Sequence, residues 1–138
     1  MPTTVSSRPR RSRQAANRPR LLHLEDDDSL RRLVEIGLHR LGYNVTSLCN
    51  GYEAQQMILA TGKNWDVIVT DIRMPIMDGL AFLRWFRSHE SESHTPVIAC
   101  TADADALGEA RDAGADSVHL KPIAWHEFTQ ILQARVSH

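Results

Sequence analysis

The sequence predicts an α/β domain in which five parallel strands form one sheet with helices on both faces. Two observations predict it. From Leu21 onward, short apolar runs alternate with segments of helical periodicity along the whole chain. The length of 138 residues, with 42% hydrophobic and 24% charged residues, suits one soluble globular domain.

Each element has its own signal. Leu21 to Leu24 reads as the first strand. Asp28 is expected to cap a helix whose inward stripe is Leu30, Leu33, Val34, Leu38 and Leu41, with Gly42 as its stop. Tyr43 to Leu48 is the second strand. Asn50, followed three residues later by Glu53, resembles a capping box and opens a helix with Ala54, Met57 and Ile58 inward. Asp66 to Thr70 is a buried third strand, followed by a helix carrying Leu80, Leu83 and Phe86. Val97 to Cys100 is the fourth strand, and a small-residue helix runs from about Asp105 to Ala113. Ser117 to Leu120 is the fifth strand, and Ala124, Phe128, Ile131, Leu132 and Arg135 mark the closing helix.

Composition excludes several classes. No apolar run approaches the roughly 18 residues of a membrane helix, and the N-terminus lacks a signal-peptide core. Cys49 and Cys100 are too few for a disulfide scaffold and lack zinc-motif spacing, so both are expected to be reduced and buried. The net charge of −1 hides an asymmetry. Six arginines and no acids lie in residues 1–20, so residues 21–138 hold the other ten basic residues and all seventeen acids, a net −7. Pro2, Pro9 and Pro19 interrupt the basic segment, which is expected to be a disordered tail over residues 1–19, ahead of a folded domain over 20–138. A solvated extension is the favoured reading of the tail. A salt-dependent nucleic-acid contact and an organelle transit peptide are the alternatives.

Ligands of such sheets gather at the carboxyl ends of the strands. There the sequence places Glu25 and Asp26 after the first strand, Asp71 after the third, Thr101 after the fourth and Lys121-Pro122 after the fifth. Carboxylates brought together repel unless they share a cation, and Mg²⁺ is the natural one for oxygen ligands. An aspartate beside Mg²⁺ can attack phosphorus, while Lys121 and the Thr101 hydroxyl stabilise the charge on the transferred group. No glycine-rich phosphate loop is present, which argues against ATP as direct donor.

With these residues in place, the chain over 20–136 resembles the receiver domain of two-component response regulators. The resemblance rests on Glu25-Asp26, on Asp71 within Asp71-Ile72-Arg73-Met74-Pro75-Ile76-Met77-Asp78-Gly79, on Thr101-Ala102 and on Lys121-Pro122. It implies a flavodoxin-like (CheY-like) fold of strand order 2-1-3-4-5 with five helices. Asp71 matches the phosphoacceptor, Thr101 the hydroxyl that moves toward the phosphoryl group, and Lys121 the cation that pairs with it. The metal set it implies is Asp26, Asp71 and the Arg73 backbone carbonyl, with Glu25 acting mostly through water. Lys121-Pro122 matches a bond that is often cis. Three departures stand out: Val118 where an aromatic residue is usual, Ile123 where another often occurs, and a Thr101–Lys121 span about two residues short.

Arg73 and Asp103, of opposite charge, are expected to bridge the site entrance and slow hydrolysis. Asp27, Asp78 and the scattered histidines need no catalytic role, and Trp65, Trp85 and Trp125 serve packing or partner contact. The expected function is therefore a cytoplasmic, stand-alone phosphorylation switch rather than a turnover enzyme. It takes its phosphoryl group from a sensor histidine kinase or His-phosphotransfer protein and signals to a downstream protein through the Asp105–Arg135 face. Neither membrane nor nucleic acid is the expected partner. The alternatives are a phosphorylation-independent interaction module and a Mg²⁺-dependent phosphohydrolase. The second lacks an acid at position 73.

Overall fold

The computed structural model describes residues 17–90 and 94–136. The expected tail lies largely outside these residues.

The elements follow the expected alternation. They are β1 (Arg20–Leu24), α1 (Asp28–Arg40), β2 (Asn44–Leu48), α2 (Gly51–Thr61), β3 (Val67–Asp71), α3 (Gly79–His89), β4 (Val97–Thr101), a 3₁₀ turn (Ala104–Ala106), α4 (Leu107–Ala113), β5 (Ser117–Leu120) and α5 (Trp125–Arg135). The five strands form one parallel sheet in the order β2-β1-β3-β4-β5. This is the flavodoxin-like order that the resemblance implies.

Alternation along the strands splits the core in two, because successive side chains point to opposite faces. Leu21, Val67, Val69, Ile98 and Cys100 pack with Leu38 of α1 and with Phe128 and Leu132 of α5. Leu22, Leu24, Ile68, Val97 and Ala99 pack with Ala54 of α2, with Phe82, Leu83 and Phe86 of α3, and with Ala110 and Ala113 of α4. The inner strands β1, β3 and β4 are buried on both sides, which explains why they read as apolar runs, whereas the edge strands β2 and β5 are only partly buried.

Several local expectations need correction. The cap of α1 is Asp27, not Asp28: Asp27 has extended backbone, and its Oδ1 accepts from the Leu30 amide at 3.0 Å. Asp28 is the first helical residue and pairs with Arg31 at 2.7 Å. The inward arc of α1 is also narrower than its apolar pattern. Leu38 is buried and Val34 packs beside it, whereas Leu33 is 68% exposed, and Leu30, Ile36 and Leu41 are exposed too. One helix over one edge of a sheet buries only the side chains that point straight down. Cys49 is only partly buried and donates from Sγ to Glu53 Oε1 at 3.1 Å; Cys100 is buried, and both are free thiols.

The capping box of α2 is half formed. Asn50 Oδ1 accepts from the Glu53 amide at 2.9 Å, but Glu53 reaches back to the amide of Cys49, one residue early. The fourth helical segment begins as a 3₁₀ turn because Asp103 Oδ1 accepts from Asp105 N at 3.0 Å, before α4 proper starts at Leu107. Asp71 is the last residue of β3 rather than the first beyond it.

Candidate functional site

All five parallel strands end on the same edge of the sheet, so the polar residues that follow them meet there. Extensions of the strand ladder fix their backbones. The amide of Glu25 donates to Leu48 O at 3.1 Å, that of Ile72 to Cys100 O at 3.1 Å, and that of Lys121 to Thr101 O at 2.8 Å. Lys121 therefore emerges at a defined point beside β4, ahead of a cis Lys121-Pro122 bond. Behind Asp71 the chain turns sharply into α3. Asp78 caps that helix by accepting from the Ala81 amide at 2.9 Å, and Gly79 N donates to Ile72 O at 2.8 Å.

The side chains form a compact charged cluster. Lys121 Nζ donates to Glu25 Oε1 at 2.8 Å and to Asp71 Oδ2 at 3.1 Å. Asp71 Oδ1 accepts from the Ile72 amide at 2.8 Å, and Glu25 Oε2 accepts from the Asp27 amide at 3.2 Å. Glu25 is buried, Asp71 partly so, and Asp26 is exposed at the rim. Ligand oxygens from Glu25, Asp26 and Asp71 all lie within 4.8 Å of one another.

Burial pushes the Asp71 carboxyl above its ordinary value, and the nearby charge of Glu25 adds to this, against the pull of Lys121. For Lys121, burial works against the charge, but the Glu25 hydrogen bond and the charges of both carboxylates outweigh it and raise its pKa. Three carboxylates facing one ammonium leave an excess of negative charge that a divalent cation would neutralise. The donor set is all oxygen, which fits Mg²⁺ and does not suit a soft metal.

The other expected residues surround this cluster. Thr101 is buried on β4, next to the Asp71–Cys100 rung, and its Oγ1 accepts from Asp103 N at 3.1 Å. Among the described residues it makes no hydrogen bond to Asp71. Arg73 and Asp103 form the expected bridge, with Nη2 to Oδ2 at 2.8 Å and Nε to the same oxygen at 3.3 Å. This hydrogen bond is the main reason that the Asp103 carboxyl sits below its usual range. Arg73 and Asp26 share the walls of a cleft of about 270 Å³ with Met74, Pro75 and Asp78. Val118 packs into the core on the α2–α4 side, and Ile123 packs against the α1–α5 side.

Two partners were not visible in the sequence pattern. Glu25 shares Lys121 with Asp71, a contact 96 residues apart along the chain. Arg31 Nη1 donates to the Glu25 carbonyl at 3.0 Å and braces the β1–α1 turn. The position of Arg31 three residues after Asp28, a favourable helical charge pair, was the available signal.

Comparison with known proteins points the same way. Residues 21–133 match the model of the response regulator receiver domain. The chain is 32% identical over 125 residues to a probable transcriptional regulator, ycf27, of Cyanidium caldarium, covering 89% of this chain and 48% of that protein. It is 35% identical over 116 residues to the regulatory protein AtoC of Escherichia coli, covering 83% of this chain and 24% of that protein. The chain thus spans half or less of the length of these relatives.

Among solved structures, a putative response regulator from Chloroflexus aurantiacus superimposes with a TM-score of 0.79 at 26% identity, covering 88% of this chain and all of that one. The receiver domain of a Pseudomonas aeruginosa sensor histidine kinase, with a magnesium ion coordinated in its active site cleft, gives a TM-score of 0.76 at 30% identity, covering 86% of this chain and 98% of that one. The fold, the edge on which the acids meet and the family match over 21–133 agree: the chain belongs to the response regulator receiver domain family.

Proposed function

We propose that Asp71 accepts a phosphoryl group from a phosphohistidine on a sensor histidine kinase or His-phosphotransfer protein, and that the resulting change in charge switches contacts with a downstream protein. The observation that carries this reading is the Asp71 carboxylate, held between Lys121 and two further acids at the open edge of the sheet. Glu25, Asp26 and Asp71, with the Arg73 backbone carbonyl, would hold Mg²⁺, which when bound offsets the negative charge of the incoming phosphoryl oxygens.

The chain's own residues supply the rest. A carboxylate oxygen of Asp71 forms the new O–P bond as the N–P bond of the phosphohistidine breaks, and the electron pair returns to the imidazole. Lys121 supplies a positive charge to the phosphoryl oxygens. The Thr101 hydroxyl, now engaged with the Asp103 amide, supplies a hydrogen bond when it turns toward them. Water then cleaves the acyl phosphate, releasing inorganic phosphate and restoring the Asp71 carboxylate, so the cycle resets a switch. Output through α4, β5 and α5 follows from connectivity, since Lys121 directly follows β5 and leads through Pro122 into α5. A cytoplasmic location, alongside the kinase, goes with this reading.

The experiment is intact mass measurement after incubation with acetyl phosphate or phosphoramidate and Mg²⁺. The expected result is a gain of one phosphoryl group that is absent in Asp71→Asn and without Mg²⁺. No gain, or a gain that survives Asp71→Asn, overturns the reading.

A further inference from the structure

Between α1 and α5 lies a cavity of about 250 Å³ whose walls are mostly apolar and which borders the phosphoacceptor site at one end. Leu30 and Val34 of α1, Cys100 of β4, and Trp125 and Phe128 of α5 line it, and it also touches Glu25, Asp71 and Lys121. Leu30 and Trp125 are 36% and 43% exposed, so the mouth lies between the first turns of the two helices. Gly37 makes room for the Trp125 indole: a Cβ there would stand 2.7 Å from two of its ring carbons. Phe128 packs against the indole in a tilted arrangement, with ring centroids 5.5 Å apart.

The floor carries a hydrogen-bonding group with a spare atom. His23 is 4% exposed, and among the described residues its one partner is the Ser47 hydroxyl, 3.0 Å from Nδ1. Nε2 is left without a partner. Lys121 is already paired with Glu25 and Asp71, so an anionic ligand finds no free counter-charge here.

An apolar cavity of roughly 150 Å³ is enough to take up benzene. The present one is larger, and it adds the His23 ring nitrogen to mostly apolar walls. We propose that it binds a small uncharged aromatic molecule of one or two rings with a single hydrogen-bonding group, the ring lying between Val34 and Phe128 and the polar group meeting His23. Binding to the unmodified chain does not require that Asp71 be a phosphoacceptor, so failure of one reading leaves the other intact.

The test is titration of the ¹⁵N-labelled full chain with phenol and, separately, toluene, followed by amide shifts and Trp125 fluorescence. Saturable shifts are expected at Val34, Cys100 and Phe128, with phenol binding about fivefold more tightly than toluene, the worth of one hydrogen bond. His23→Phe should remove that preference and keep toluene binding. Val34→Phe should fill the cavity and abolish both. If that variant does not fold, Leu30→Trp at the exposed mouth replaces it. The proposal is overturned by absence of a saturable shift up to roughly 10 mM probe. Shifts confined to residues outside the cavity, or unchanged binding in the filled variant, overturn it as well.

Discussion

Gly79 stands where α3 meets the end of β3, and an alanine there tests how tightly the phosphoacceptor strand is held. Its Cβ would lie 2.1 Å from the carbonyl oxygen of Asp71, 2.9 Å from Ile72 Cα and 3.0 Å from the Asp71 carbonyl carbon. All three are backbone atoms, so no side chain can rotate away. An ordinary contact with that oxygen needs about 1 Å more, which must come from moving α3 or the end of β3. Overpacking of this kind costs about 1–3 kcal/mol, against a gain of up to about 1 kcal/mol from replacing glycine within a helix. A net loss of about 1–2 kcal/mol is expected for Gly79→Ala, read from urea denaturation. A displacement of about 1 Å at a reacting group costs on the order of 100-fold in rate. The same variant should therefore take up phosphoryl groups from acetyl phosphate far more slowly than its remaining folded fraction allows. Stability within about 0.5 kcal/mol of the parent together with an unchanged rate would refute this account of the junction.

Four further outcomes are expected. His23 has a folded-state pKa near 4, below its ordinary 6.5, so the unfolded chain takes up its proton first as the pH falls. Its contribution to stability is full above about pH 6.5 and is lost toward pH 4, by at most about 3 kcal/mol; His23→Phe should flatten this part of the pH–stability curve measured by urea denaturation. Mg²⁺ at about 100 times its dissociation constant should stabilise the protein by about 2.7 kcal/mol in thermal melts, and Asp26→Asn should weaken that response. Ile76 is 82% exposed with φ at 70°, a left-handed backbone that costs a β-branched residue about 1–2 kcal/mol. Ile76→Gly should thus gain about 0.5–1 kcal/mol in chemical denaturation, less than the full strain because glycine is freer when unfolded. Arg73→Ala and Asp103→Ala should each speed loss of the phosphoryl group by no more than about fivefold, since the bridge they break is exposed; a phosphate-release assay with no change in either variant removes any role for it in hydrolysis.

Most of the site was legible because strand ends in a parallel sheet share one edge, so locating the strands was enough to bring Glu25, Asp26, Asp71 and Lys121 together. The Arg73–Asp103 bridge was legible for the same reason, as both residues stand two positions beyond a strand-end group. The split of Lys121 between Glu25 and Asp71 was not, because it depends on side-chain reach across the sheet rather than on order along the chain. The cap of α1 was misplaced by one residue because Asp27 and Asp28 are chemically identical, and only backbone conformation distinguishes them. The apolar period of α1 correctly marked a helix. It did not show that Leu33 and Ile36 face outward, since periodicity identifies a stripe but not how much of it the neighbouring elements cover. The cavity beside Trp125 left no trace in the sequence at all, because a void is set by the spacing of two helices.

The rung from the Lys121 amide to the Thr101 carbonyl gives one residue two duties, the last stitch of the lattice on one side and the counter-ion of the acids on the other. It belongs to the outermost ribbon, four residues long and tied along one flank only. Any tug on its ammonium is therefore borne at a margin that yields easily, while the inner ribbons, gripped from both flanks, keep the acids in register for the next round.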